Sequence, residues 1–263
     1  TYKSLGIRPS SALFPNLPNN FTVSDRNINN ETKSSILVVG EGDFSFTRAL
    51  CSLMMSYNNS NNNTFDYPTI PPHLNPGSFP IVSTCYNRLV RRKLQEAVSL
   101  QSVFPRVLRI LDEVDACDLE RSLNFKLPSS TRFDAVYFTF PYANTNNKEE
   151  TPSLKPFDSH FVGIGRHSQL IQAFLRSTKD VITPNGEVVM ICFLSQLVVW
   201  EAEHIVEQEG WTLDKAYEFN YKVWKELGYV PKRTHGLDTF VSKSYGRGDG
   251  GQDVAYVVHF SRK

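Results

Sequence analysis

The sequence predicts one α/β domain, built on a mostly parallel seven-stranded sheet with helices on both faces. Two observations carry this prediction. Short apolar segments with strand character alternate along the chain with segments whose apolar residues have helical spacing. The first strand also runs directly into a glycine turn and a helix. With 263 residues, 40% of them hydrophobic, the chain can form one sizeable core.

The predicted elements follow in chain order. Residues 1–34 are rich in Asn, Ser and Pro and are expected to form an extended arm before a domain that spans 35–263. Within that domain, the Asn- and Pro-rich residues 56–80 are expected to be a flexible insertion. The predicted strands are 36–40, 81–86, 107–111, 134–140, 187–193, 211–219 and 253–260. The predicted helices are 46–57, 88–98, 168–182 and 197–209, the third of them stopped by Pro184-Asn185-Gly186.

The turn after the first strand reads Gly40-Glu41-Gly42-Asp43. Glycines at positions 40 and 42 let the backbone turn tightly and approach a ligand closely. Strand–turn–helix units of this kind bind nucleotide-like ligands at the carboxyl end of the first strand. The third glycine of the dinucleotide fingerprint is missing, so the turn fits a mononucleoside better than a pyrophosphate. An ordinary turn between a strand and a helix is the alternative interpretation.

Taken whole, the segment from Gly40 to Phe46 resembles the opening motif of a Rossmann-like class I methyltransferase family, which methylates N3 of a uridine in large-subunit ribosomal RNA. Further blocks resemble that family in the same order: Val114–Leu119, Phe133–Tyr142, Arg166-His167 with Leu170 and Phe174, and more weakly Leu227–Gly236. The resemblance covers residues 35–245. The closing pair of strands resembles the final hairpin of class I methyltransferases, which implies a C-terminal antiparallel strand in the sheet. It implies S-adenosyl-L-methionine as cofactor, ribosomal RNA as partner, and a nuclear or nucleolar location.

The resemblance also implies a set of cofactor-binding residues. It places the loop after the first strand around the methionine part of the cofactor, with Gly40, Glu41, Gly42, Asp43, Phe44, Ser45 and Phe46 as candidates. Such folds usually keep a ribose-binding acid after the second strand, and here Asn87 is the candidate in its place. Asp115 and Ala116 follow the third strand, where adenine is usually bound. Capping the next turn is the alternative role of Asp115.

The methyl acceptor is expected at the end of the fourth strand. Thr139 stands where the family pattern has Asn, and its hydroxyl can still accept one hydrogen bond; it is also a candidate cofactor contact. The three residues that follow, Phe140, Pro141 and Tyr142, are candidate substrate contacts, and Tyr142 is also a candidate for proton handling. A plain buried strand that ends at the proline is the alternative.

Arg166 and His167 are expected to open the helix that faces this strand end. Arg166 is a candidate for substrate binding and for stabilising negative charge that develops on the base, and His167 for handling a proton. A solvated helix cap is the alternative for His167. Arg233 is a candidate RNA contact, as is the basic run at residues 88–93, although such runs are often only solvated.

The bulk properties narrow the class of protein. A formal net charge of +1 gives no global basic field, so attraction of RNA must come from local patches. The four cysteines are widely spaced and predict free thiols in a reducing compartment, with no metal site. No apolar run approaches a membrane span and no signal-peptide profile is seen, so a soluble intracellular protein is expected. The pattern defines no oligomeric state.

These features together predict an S-adenosylmethionine-dependent methyltransferase that acts on uridine N3 in ribosomal RNA. One alternative is a methyltransferase of the same fold that acts on another RNA base or on a small molecule, which the near-neutral charge and Thr139 favour. Another is a non-catalytic module that binds cofactor or RNA. A nicotinamide-dependent oxidoreductase is disfavoured, because the glycine fingerprint is incomplete and no ribose-binding acid follows the second strand.

Overall fold

The structure is a computed structural model that describes residues 35–59, 80–89, 91–105, 107–141, 162–230 and 255–263. Its strands are β1 (Ile36–Val39), β2 (Ile81–Thr84), β3 (Leu108–Leu111), β4 (Phe133–Thr139), β5 (Ile182–Phe193), β6 (Trp211–Glu218) and β7 (Ala255–Arg262). Its helices are α1 (Ser45–Asn59), α2 (Arg91–Val103), α3 (Leu119–Asn124), α4 (Val162–Thr178), α5 (Leu194–Val199), α6 (Ala202–Gln208) and α7 (Tyr221–Glu226).

The seven strands form one sheet in the order β3-β2-β1-β4-β5-β7-β6. Strands β1 to β5 pair in parallel, while β7 lies antiparallel to both β5 and β6. The order reverses direction between β1 and β4, and open α/β sheets bind their ligands at the carboxyl ends of the strands beside such a switch point. The predicted class I methyltransferase fold is therefore confirmed, and its ligand crevice is expected beside the loops that follow β1 and β4.

Each face of the sheet carries its own hydrophobic core. On one face, buried residues of α3, α4, α5 and α6 pack on the sheet, with Phe174 and Trp200 among the largest. On the other face, α1, α2 and α7 cover side chains such as Val38, Tyr137 and Val257. The central strand β1 is buried along its whole length, because helices cover the sheet on both sides.

Two predicted boundaries near β5 are wrong. Helix α4 begins at Val162 and ends at Thr178, whereas the sequence predicted 168–182. The segment Pro184-Asn185-Gly186, read as a helix stop, lies within β5. The register between β4 and β5 shifts at this point, so the turn-forming residues form an irregularity inside the strand. A Cβ on Gly186 would lie 2.5 Å from Ile182 Cγ1, which explains the glycine.

Other elements differ in extent from the prediction. The predicted helix 197–209 is divided into α5 and α6, and Glu201 between them has a left-handed φ of 53°. The short helices α3 and α7 were not predicted. Helix α2 begins at Arg91 and not at Arg88. Helix α1 continues to Asn59, so the start of the predicted insertion is helical; residues 60–79 and the predicted arm 1–34 lie outside the described residues.

Candidate active site

The two glycines of the turn after β1 have different reasons to be glycine. Gly40 has a φ of 75°, and a Cβ there would lie 2.8 Å from Cε2 of Phe138 on β4. At Gly42, by contrast, no described atom lies within 4 Å of the position that a Cβ would take. Gly40 therefore lets β1 and β4 approach each other, whereas Gly42 borders open space at the carboxyl edge of the sheet.

The side chain of Glu41, between these glycines, turns into the protein and is only 5% exposed. Its Oε2 accepts a hydrogen bond from the Thr47 N–H in the first turn of α1, at 3.1 Å. Its Oε1 accepts one from the Thr139 hydroxyl at the end of β4, at 3.2 Å. The Glu41 N–H donates to the Thr84 carbonyl of β2 at 2.9 Å. One residue thus connects the loop, a helix start and the ends of the two strands that flank β1.

Burial raises the pKa of Glu41 from 4.5 to about 7, and repulsion from the Asp43 carboxylate adds to this effect. The hydrogen bonds from the Thr47 N–H and the Thr139 hydroxyl act in the opposite direction, because they favour the ionised form. Glu41 is therefore a buried carboxyl group that exchanges its proton near neutral pH, at the switch point of the sheet.

This raised pKa predicts a pH dependence of stability. Between about pH 4.5 and about pH 7 the folded protein holds a proton that the unfolded chain releases, so the free energy of unfolding should fall as pH rises. The full difference corresponds to about 3 kcal/mol. Chemical denaturation across this range should show the fall in the wild type and not in Glu41→Gln. The exposed Glu207→Gln is the matched control, and equal slopes in wild type and Glu41→Gln would contradict the assignment.

The rest of the opening motif is held against the segment that follows α7. Asp43 Oδ1 accepts a hydrogen bond from the Ser45 N–H at 3.1 Å, and the Ser45 hydroxyl donates to the Val230 carbonyl at 3.0 Å. Phe44 and Phe46 are buried. The ring of Phe46 stacks on Trp224 with centroids 4.7 Å apart. The two phenylalanines predicted to line the cofactor therefore contribute their side chains to packing.

The aromatic contacts of Phe46 also explain why a late sequence block accompanies the opening motif. Tyr229 lies edge-on to Phe46, with ring centroids 5.8 Å apart. Gly228, directly before it, has a φ of 94° that favours glycine. The Leu227–Gly228–Tyr229 part of the late block thus supports α1 and the loop before it. Residues 231–236 of that block, including Arg233, lie outside the described residues.

Asp115 follows β3 and already has a local structural role. Its Oδ1 accepts a hydrogen bond from the Cys117 N–H at 2.8 Å, and its own N–H donates to the Ser122 hydroxyl at 3.1 Å. The capping alternative is therefore observed, on a carboxylate that stays partly exposed. Ala116 beside it is half-buried and packs against the core under α3 and α4.

The ends of β2 and β3 are joined where the nucleoside part of a ligand is expected. The Val114 N–H donates to the Cys85 carbonyl at 3.1 Å, which places the segments that bear Asp115 and Asn87 side by side. Asn87 is exposed, and its carbonyl accepts a hydrogen bond from the Cys85 thiol at 3.1 Å. All four cysteines are free thiols, as predicted.

The end of β4 forms the other wall of the crevice. After Thr139 the chain turns at Phe140, whose φ is 47° and whose N–H donates to the Ile191 carbonyl at 2.6 Å. The ring of Phe140 is half-buried beside Phe193 of β5, with centroids 5.3 Å apart. Pro141 is buried, and Tyr142 lies outside the described residues. The strand therefore ends in a turn at Phe140, directly before the buried Pro141.

Left-handed backbone conformations gather at this edge of the sheet. Four non-glycine residues in the described part of the chain have positive φ, and three of them follow parallel strands. These three are Phe44 after β1, Glu113 after β3 and Phe140 after β4, with φ of 57°, 51° and 47°. Backbone strain of this kind is typical of ligand-binding and catalytic sites, where the surrounding structure holds it in place.

Arg166 and His167 lie in the second turn of α4 and not at its start, because the helix begins at Val162. Each is 8% exposed. The imidazole of His167 stacks face to face on Trp200, with centroids 4.8 Å apart and planes 6° apart. The Ser168 hydroxyl donates to the Trp200 carbonyl at 2.9 Å. This turn of α4 is therefore anchored on the junction between α5 and α6, a role for His167 that the sequence did not predict.

The sequence also predicted that the protein has neither a metal site nor a membrane-spanning segment. Within the described ranges, no group of three or more His, Cys, Asp or Glu side chains is arranged to hold a metal ion. In that same part of the chain, no helix has the length and apolar character needed to cross a membrane.

Comparison with known proteins identifies relatives of this chain. Residues 37–233 match the model of a family described as BMT5-like, rRNA (uridine-N3-)-methyltransferase BTM5-like. A curated relative, the heavy metal-associated isoprenylated plant protein 41 of Arabidopsis thaliana, is 28% identical over 153 residues. That similarity covers 58% of this chain and 24% of the plant protein, so the chain spans about a quarter of its curated relative.

Three similar solved structures are methyltransferases of low sequence identity. A TehB-like SAM-dependent methyltransferase from Corynebacterium glutamicum has a TM-score of 0.42 and 14% identity, covering 88% of this chain and 80% of its own. A variant of the 16S rRNA (adenine(1408)-N(1))-methyltransferase from Catenulisporales acidiphilia has a TM-score of 0.45 and 8% identity, covering 87% of each chain. An rRNA methylase from Streptococcus thermophilus has a TM-score of 0.40 and 8% identity, covering 88% of this chain and 87% of its own.

Proposed function

The chain belongs to the BMT5-like rRNA (uridine-N3)-methyltransferase family, and from that premise we propose that it methylates N3 of a uridine in large-subunit ribosomal RNA. The methyl donor of this family is S-adenosyl-L-methionine. The observation that supports the proposal most directly is the strand–glycine turn–helix unit at the switch point, with Gly42 facing open space. Action on ribosomal RNA of the large subunit would place the protein in the nucleus or nucleolus.

The residues at the carboxyl edge fit this cofactor at two of three places. Gly42 leaves room for a ligand against the backbone. At the end of β3, the partly exposed Asp115 carboxylate can accept a hydrogen bond from the amino group of adenine. At the end of β2 the fit is weaker, because Asn87 offers an amide oxygen where a carboxylate would bind the ribose hydroxyls more strongly. When bound, the cofactor supplies a methyl group on a sulfonium centre.

A substitution at Asp115 separates adenine binding from turn capping. Asn at this position keeps an oxygen for the Cys117 N–H but has no negative charge for the adenine amino group. Asp115→Asn should therefore keep the unfolding temperature and weaken binding of S-adenosylhomocysteine by about 1–3 kcal/mol. Asp115→Ala should lower both the unfolding temperature and the affinity for S-adenosylhomocysteine. Titration calorimetry with thermal unfolding measures the two effects, and unchanged affinity in Asp115→Asn would restrict Asp115 to capping.

The acceptor base is proposed to lie between the end of β4 and the second turn of α4. Arg166 is a fixed cation there, largely removed from water. Such a cation can stabilise the negative charge that develops on the uracil ring as N3 loses its proton. N3 takes part in base pairing, so the target must be unpaired or flipped out of a helix, and Phe140 is an aromatic surface on which it could stack.

The proposed function is tested by transfer of tritium-labelled methyl groups to a panel of acceptors. The panel contains large-subunit ribosomal RNA that lacks the modification, small-subunit RNA, transfer RNA and a metabolite extract. The proposal expects label in large-subunit RNA, recovered as 3-methyluridine after digestion to nucleosides. Label in another nucleoside or in a small molecule would support a same-fold methyltransferase with a different acceptor. Cofactor binding without any transfer would support a non-catalytic module.

A further inference from the structure

We infer that Glu41 receives the proton that leaves uridine N3 during methylation, and that the hydroxyl of Thr139 relays it. The inference rests on the proposed function, because it needs a uridine as the methyl acceptor. It concerns two side chains that are 98 residues apart in sequence and joined by a hydrogen bond at the switch point of the sheet.

The position of Thr139 suits a relay. It is the last residue of β4 and is 9% exposed. Its hydroxyl donates its only hydrogen to Glu41 Oε1 across 3.2 Å. A hydroxyl has two lone pairs besides its hydrogen, so a Thr139 that donates to Glu41 presents an acceptor to a second partner. The N3–H of uracil is a donor of the required kind.

The surroundings of Glu41 suit the end of such a relay. The groups that hydrogen-bond to it from α1, β2 and β4 are the N–H and the hydroxyl of Thr47, the Thr84 carbonyl and the Thr139 hydroxyl, all of them neutral. The charged group that acts on it is Asp43 of its own loop, which raises its pKa further. With a pKa of about 7, Glu41 is a stronger base than an ordinary carboxylate and is still ionised to a large extent at neutral pH.

The other candidates for this role are less well placed among the described residues. His167 is held face to face against Trp200, and the guanidinium group of Arg166 has hydrogen-bond donors only, so it offers no acceptor for the proton. Asp43 is half-buried in the loop, where it accepts a hydrogen bond from the Ser45 N–H. Glu41 is the carboxyl group that is joined to the strand end where the acceptor base is expected.

The step balances as follows. A bond forms between N3 of the uracil and the methyl carbon while the bond from that carbon to the sulfonium sulfur breaks, its electron pair staying on sulfur. The N3 proton moves to Thr139 Oγ1, whose own hydrogen moves to Glu41 Oε1. No external oxidant, reductant or metal is needed. After product release, Thr139 returns the proton from Glu41 to solvent.

The first arm of the test measures how Thr139 affects the titration of Glu41 in the protein without cofactor. The pH dependence of the free energy of unfolding reports the titration of Glu41 in the folded state. Wild type should show a midpoint near pH 7, and Glu41→Gln should lack it. Thr139→Val should move the midpoint upwards, because the carboxylate loses a hydrogen bond that favours its ionised form. An unmoved midpoint in a folded Thr139→Val protein would overturn the relay.

The second arm measures single-turnover methyl transfer to large-subunit ribosomal RNA that lacks the modification, across the same pH range. Glu41→Gln and Thr139→Val should each lower the rate by about 10²–10⁴-fold and remove the rise of the rate with pH. Thr139→Ser keeps the hydroxyl and should retain the rate within about tenfold of wild type. The double variant should be no slower than either single variant, because both changes interrupt the same proton path.

Two residues of the same types, the half-buried Glu187 and the buried Thr178, serve as controls. Glu187 lies on β5 beside His259, and the strand register places it opposite Ala135, four residues before Thr139. Thr178 is buried at the end of α4, where its hydroxyl donates to the Phe174 carbonyl. Glu187→Gln and Thr178→Val should both transfer methyl groups at the wild-type rate.

The outcomes separate the inference from the proposed function. If wild type methylates uridine N3 and Glu41→Gln keeps both its rate and its rise with pH, the relay is wrong and the proposed function stands. If Glu41→Gln is slowed equally at every pH, with weaker binding of S-adenosylhomocysteine, Glu41 only supports the loop and the relay is again wrong. If wild type leaves uridine unmodified, the proposed function fails and the relay falls with it.

Discussion

A Gly42→Val variant is expected to bind S-adenosylhomocysteine at least about 100-fold more weakly than wild type while it unfolds at the same temperature. A Cβ at position 42 would have no described atom within 4 Å, so the fold is not expected to be strained. It does fill the space through which a ligand would approach the backbone of the turn. Titration calorimetry and thermal unfolding measure the two quantities on the same sample.

Gly40→Ala provides the matched control for this substitution. Its added methyl group would lie 2.8 Å from the ring of Phe138, at a backbone φ of 75°. We expect this variant to lose roughly 1–3 kcal/mol of stability, because L side chains are strained in that conformation. Gly40 should thus be needed for the stability of the fold, and Gly42 for binding of the ligand. Wild-type affinity in a folded Gly42→Val protein would move the cofactor site away from this turn.

Phe46→Ala is expected to lower the free energy of unfolding by about 3–5 kcal/mol, the usual cost of removing a fully buried aromatic ring. Phe46 has no exposed surface. Its ring stacks on Trp224 of α7 and lies edge-on to Tyr229, so its loss opens the contact between α1 and the segment after β6. Chemical denaturation measures the effect.

The control for Phe46→Ala is Phe125→Ala. Phe125 is 90% exposed directly after α3, and its truncation should change stability by less than about 0.5 kcal/mol. If truncation of Phe46 were equally mild, the packing role assigned to this part of the motif would be wrong. Its ring would then be available to the cofactor, as the sequence suggested.

The strands were predictable because helices cover the parallel sheet on both faces. A strand in such a sheet needs apolar residues along its whole length, and β1 consists of four of them in a row. The antiparallel β7 was also located, although β5 was placed too short. The first residues of β5 include Pro184 and Gly186, which ordinarily indicate a turn. Here they form an irregularity within the strand.

The helices missed by the sequence are those with little periodicity of their own. Helices α3 and α7 have six residues each, which is less than two turns, so no apolar repeat can be seen in them. The division between α5 and α6 occurs at Glu201, a left-handed residue with neither glycine nor proline to signal it. These features are set by tertiary contacts such as that between Trp200 and His167.

The sequence located the candidate site, but it did not show which side chains face the ligand. The pattern Gly-Glu-Gly-Asp indicates a turn, whereas the direction of the Glu41 carboxyl depends on Thr139, 98 residues away. Phe44 and Phe46 look available beside the glycines, yet both are buried. The one indication of a buried Glu41 in the sequence is its place between two glycines, directly before a helix. A carboxyl group there can accept a hydrogen bond from the N–H groups in the first turn of the helix.

The most direct test of the central claim is a crystal structure of this protein with S-adenosylhomocysteine. We expect the ligand at the carboxyl edge of the sheet, with the part derived from methionine against Gly42. Its adenine amino group should lie at the Asp115 carboxylate, and its sulfur should point towards Thr139. Adenine bound elsewhere with Asp115 engaged only by Cys117 would reassign that residue. A ligand outside the crevice beside β1 and β4 would contradict the account.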